Sequence, residues 1–129
     1  MHATTLVLYE KVLHAHLTKR KIEREARFAG RLDLSPHQIY EQFYAESGYD
    51  EKDVIYLWDL IAHHLGLNAR KLRPTDRFDS ELSPVTGYEL LDEIEDLTVF
   101  VRLEAEKRKT VFKPSELQSV DDVIRLLAR

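Results

Sequence analysis

The sequence has no cysteine, and only four glycines, four prolines and one tryptophan among 129 residues. Without cysteine there is no disulfide framework, thiolate zinc site, iron–sulfur cluster or thiol catalysis. No Pro/Gly-rich linker, internal repeat or low-complexity tract divides the chain, so one domain with an appended arm is expected. No apolar run approaches the ~18 residues that a spanning helix requires. Met1-His2-Ala3-Thr4-Thr5 lacks the basic start of a secretory signal, and Leu6-Val7-Leu8-Tyr9 is too short for its apolar stretch. The expectation is a cytoplasmic protein with no membrane partner. Glycine-rich phosphate loops, nucleophile elbows and dinucleotide fingerprints are also missing. What is present is 43% apolar and 33% charged, too apolar for disorder and too charged for a membrane protein.

Charge is unevenly distributed. Residues 1–49 carry seven basic and six acidic groups, residues 50–129 twelve and seventeen. Six basic residues lie between Thr18 and Arg31, and seven acidic ones, with no basic one, between Asp79 and Asp96. Such blocks bear on partners and solubility rather than on fold.

Helical signals run along the chain. Leu6, Tyr9, Leu13 and Leu17 recur at helical spacing. Ser35 before Pro36 marks a helix start, with Ile39, Tyr40 and Phe43 on one side and Gly48 as its end near Ser47. Asp50 caps the next helix, where Val54, Leu57, Trp58, Ile61 and Leu65 form a core-facing stripe, and Gly66 ends it. A long connection, Leu67 to Val85, holds the isolated apolar anchors Phe78 and Leu82. Thr86 and Glu89 form a capping box. Behind it Leu90, Leu91, Ile94 and Leu97 line one face, while Glu89, Asp92, Glu93 and Asp96 line the other. From Thr98 to Ala105 the apolar residues alternate. That pattern suits a small hairpin within 98–113, with Thr110-Val111-Phe112 as partner strand, or a loop with a short helix. Ser119 caps a closing helix whose apolar face is Val120, Val123, Ile124 and Leu127.

The second half resembles the acyl carrier proteins, small helical bundles that hold acyl chains on a 4'-phosphopantetheine arm. The resemblance covers roughly 50–129. It rests on Leu65-Gly66-Leu67, on Pro74-Thr75-Asp76-Arg77-Phe78 followed by Leu82, and on Ser119-Val120-Asp121-Asp122-Val123-Ile124. It implies an all-α bundle at 50–129, an N-terminal helical extension at 1–49, and a non-enzymatic role in fatty-acid or polyketide metabolism. It also implies docking of the acidic helix, through Glu89, Asp92, Glu93 and Asp96, onto a basic partner surface. The family's Asp-Ser-Leu attachment triplet is absent. By spacing, Thr86 within Val85-Thr86-Gly87 takes the serine's place, and Asp79-Ser80-Glu81 is an offset partial match that makes Ser80 the second candidate. Ser83 has no preceding acid. An atypical or degenerate carrier without bound cofactor is the expectation.

Dense carboxylate pairs lie on exposed helix faces, where pKa values stay ordinary, so no catalytic residue is expected. His14 and His16, two apart on a helix, diverge by about 200°. His63 points away from the stripe of its helix and His64 sits at its edge, and with no cysteine no metal site is expected anywhere in the chain. The alternative function is a helical interaction or regulatory module, touching nucleic acid through 18–31. Against nucleic acid, the outward positions Glu51, Lys52, Asp59 and His63 make a poor reading surface.

Overall fold

The computed structural model describes residues 22–23, 25–83 and 89–129, with side chains from Asp96 onward in the last segment. The expected helix through Leu6–Leu17, His14 and His16, and the Thr86 cap with Gly87 lie outside the described residues. The chain forms two compact units, Met1–Gly30 and Arg31–Arg129. In the first, residues 25–28 are helical. The second is all-α among its described residues: α1 (Pro36–Phe43), α2 (Glu51–Leu65), α3 (Glu89–Lys107), a 3-10 turn (Pro114–Glu116) and α4 (Val120–Leu127). None of these helices is long and apolar enough to cross a membrane.

The caps are those the local sequence predicts. Ser35 Oγ accepts from the Gln38 N–H at 3.2 Å, and Gln38 Oε1 accepts from the Ser35 N–H at 2.8 Å. Asp50 caps α2 through the Asp53 N–H. Gly66 closes α2 in the left-handed region at φ 65°, which places the Leu67 N–H on the Ala62 carbonyl. At α4, Ser119 and Asp122 satisfy each other's backbone donors. Each such cap is worth about 1 kcal/mol.

Helix α2 is the axle of this unit and packs against α1, α3 and α4. Its stripe Val54, Leu57, Trp58, Ile61 and Leu65 is fully buried, as are Val120, Val123, Ile124 and Leu127 of α4. Helix α1 ends earlier than the expected Ser47. Tyr44 leaves the helix to bury its ring edge-on against Trp58, centroids 6.2 Å apart, and donates its hydroxyl to Asp121 Oδ1 at 2.9 Å. Residues 44–46 are a turn, and Gly48 supplies the positive φ of 83° that brings the chain round to α2.

The hairpin considered within 98–113 does not form. Helix α3 runs unbroken to Lys107 and buries Leu97, Val101 and Ala105, spaced by four. The alternating Val99 and Leu103 are left 55% and 53% exposed. The misleading pattern arises because two apolar residues sit on the open side of a helix, where alternation imitates a strand. Just beyond the helix, Lys109 at φ 57° turns the chain so that the Thr110 N–H reaches the Ala105 carbonyl.

Candidate functional site

The long connection is held by a carboxylate. Asp76, 1% exposed, takes both Arg31 guanidinium nitrogens at 2.7 Å and the Arg73 N–H at 2.8 Å. A charge this deeply buried is tolerated because three donors replace its water. The hydrogen bond to Asp76 raises the Arg31 pKa further. Arg31 also donates to the Lys71 carbonyl, and Trp58 Nε1–H donates to that of Ala69, so the loop is pinned at two further points.

So held, the loop meets the start of α4. The Asp76 and Pro74 carbonyls accept from the Val120 and Asp121 N–H groups at 3.0 and 2.9 Å. The Phe78 N–H donates to the Gln118 carbonyl at 3.0 Å, and Arg77 and Ser119 form an isolated antiparallel bridge. Backbone N–H groups that a helix start leaves without intrahelical partners thereby find carbonyls. Pro74-x-Asp76-x-Phe78 and Ser119-Val120-Asp121, some forty residues apart in the chain, become one joint.

Beside this joint is a cavity of about 170 Å³, lined by Phe78, Leu97, Thr98, Val101, Pro114, Leu117 and Val123. Its walls come from the loop, α3, the 3-10 turn and α4. Six of its seven lining residues are apolar, and it is partly open to solvent. Asp96 is exposed one residue before Leu97.

The acidic run divides in two. Arg77 engages Asp79 through Nε at 3.0 Å, and its own backbone N–H donates to Glu81 at 2.9 Å. The Arg77 hydrogen bond holds the Asp79 carboxyl below the usual range, and the backbone donors do the same for Glu81. Both belong to the loop's own stapling. Glu89, Asp92, Glu93 and Asp96 fall instead along the first turns of α3. Ser80 is exposed in the turn that leads to buried Leu82, and Thr86 lies outside the described residues.

His63 is exposed and His64 is stacked on Phe100, ring centroids 4.8 Å apart, as expected of solvated and edge-packed imidazoles. The sequence reading passed over His37. Its ring meets Glu51 at 2.5 Å and Glu41 at 3.9 Å. The four-residue spacing from His37 to Glu41 is the signal that could have drawn notice to it.

Comparison with models of known families, with curated proteins and with solved structures finds no match.

Proposed function

We propose that this chain is a non-enzymatic, carrier-like protein that docks a basic partner surface through Glu89, Asp92, Glu93 and Asp96 of α3. One observation carries the reading. The two segments that resemble the acyl carrier proteins, Pro74–Phe78 and Ser119–Asp121, are joined by two backbone hydrogen bonds, with a third from Phe78 to the adjoining Gln118, next to a largely apolar cavity. The order along the chain of a helix, a pinned loop, an acidic helix and a closing helix supports the reading. The acidic positions on α3 supply the charge for steering a basic partner. Without the Asp-Ser-Leu triplet, the protein works by binding rather than by carrying a phosphopantetheine arm.

The test uses a promiscuous carrier-protein transferase with a basic docking surface. Affinity for it should fall steeply between low and physiological salt, because exposed charges are screened within about 8 Å there. The double variant Glu93→Lys, Asp96→Lys should lose binding while its circular dichroism stays that of the parent. Affinity indifferent to both salt and charge reversal would refute the docking role.

A further inference from the structure

We propose that His37, Glu41 and Glu51 form a Zn²⁺ site bridging the starts of α1 and α2. One ring nitrogen of His37 and one carboxylate oxygen from each glutamate lie within 4.8 Å of one another. The arrangement joins two elements. His37 and Glu41 stand one turn apart on α1, and Glu51 opens α2 fourteen residues beyond His37.

The backbones that carry these side chains are fixed. The Ser35–Gln38 capping box sets the first turn of α1. Tyr40 Oη donates to the Tyr49 carbonyl at 2.6 Å, which ties α1 to the connection. The Asp50 N–H donates to the Arg129 carbonyl at 2.8 Å, and the Asp50 carboxylate caps α2. The three side chains themselves are 68%, 57% and 38% exposed, so they can close on an ion without repacking the core.

The chemistry selects the ion. Two carboxylates with one neutral imidazole carry a charge of −2, which a divalent cation cancels. The imidazole nitrogen disfavours Mg²⁺ and Ca²⁺, which take oxygen donors, and the lack of thiolate disfavours soft Cu(I). Zn²⁺ accepts mixed N and O donors at about 2.0–2.2 Å, with water completing a three-ligand site. Ligand atoms around it stand roughly 3.4 Å apart in a tetrahedron of those bond lengths. Glu51 lies 2.5 Å from His37 Nδ1 and Glu41 3.9 Å from Nε2, on opposite ring nitrogens, while one ligand atom from each residue lies within 4.8 Å of the others. The exposed ring and carboxylates therefore turn so that one His37 nitrogen and both glutamates face the ion.

Isothermal titration of the full chain with Zn²⁺ alone, in a buffer that does not bind metal, tests the site. One saturable site is expected, with none for Mg²⁺. His37→Ala and Glu51→Gln should each weaken it about tenfold or more, a loss that even outer-shell changes reach at metal sites. His63→Ala should leave it unchanged, and circular dichroism should report the parent fold in all three. No saturable Zn²⁺ binding would overturn the proposal. So would equal affinity in His37→Ala and Glu51→Gln, which would put the ion on other side chains.

Discussion

Arg108 grips both carboxylate oxygens of Asp53, at 2.7 and 2.8 Å, across 55 residues of chain. The same guanidinium donates to the Leu127 carbonyl at 2.8 Å and to Glu104 at 3.3 Å, and the Arg129 N–H donates to Asp53 at 2.9 Å. The start of α2 and the ends of α3 and α4 are therefore closed by one ion-pair network. At 16% and 21% exposure the two side chains are largely shielded from water. Bidentate geometry and shielding set this pair apart from the exposed Arg125–Asp121 pair on α4.

Arg108→Met should lower the unfolding free energy by about 2–3 kcal/mol, because charge-assisted hydrogen bonds are lost and Asp53 keeps only its backbone donor. Breaking Arg125–Asp121 by Arg125→Met should cost under about 1 kcal/mol. Urea denaturation of both variants at neutral pH checks the ordering.

Asp53 also contributes to acid sensitivity. The Arg108 hydrogen bond, reinforced by the Arg129 N–H, lowers its pKa in the folded protein. The unfolded chain, with aspartate near 3.9, takes up the proton first as pH falls. The stability Asp53 contributes is fully present above that unfolded value and is lost as pH falls through the lower folded one. Asp53→Asn should thus be less stable than the parent at pH 7, with a gap that narrows toward pH 2. Urea midpoints across this range measure it.

Asp76→Ala removes the carboxylate that accepts from the Arg31 guanidinium and the Arg73 N–H, and so loosens the loop. The expected cost is about 3–5 kcal/mol, that of breaking a buried pair. Limited proteolysis should then cut within 66–83, where the parent resists.

Helix α3 makes a contrast that a hairpin could not. Val101→Ala should cost roughly 1.5–3 kcal/mol, because its side chain is fully buried, whereas Val99→Ala should fall within about 0.5. In a hairpin both would lie on one face and cost alike. Thermal or urea unfolding of the two variants separates these outcomes.

Incubation with coenzyme A and a promiscuous carrier-protein transferase should add no phosphopantetheine mass. The β-methyl of Thr86 restricts χ1 and crowds attack on the pyrophosphate, and Ser80 stands in a turn rather than at a helix start. Intact-mass spectrometry decides it. An added mass on Thr86 would make this a working carrier and refute the degeneracy argument. The same mass on Ser80 or Ser83 would move the attachment point.

What the sequence by itself determined is local. Ser35, Asp50 and Ser119 cap helices because a short side-chain oxygen reaches an N–H two or three residues on. Gly66 ends α2 because it takes positive φ without strain. The stripes of α2 and α4 were legible because period 3.6 leaves its mark in any window of eleven residues. Phe78 and Leu82 could be marked as loop anchors, since apolar residues amid polar ones have few other uses. Tertiary structure decided whatever depends on distant partners. Tyr44 ends α1 because Trp58 and Asp121 offer its ring and hydroxyl a better place than another helical turn. The alternation at 99–105 gives way to helix because α2 and α4 already supply a face for Leu97, Val101 and Ala105, whose burial outweighs leaving Val99 and Leu103 in water. Asp76 with Arg31, Asp53 with Arg108 and His37 with Glu51 lie 45, 55 and 14 residues apart. Nothing in one sequence joins such charges, because a charged pair has no periodicity and is brought together only by the packing of the apolar residues around it.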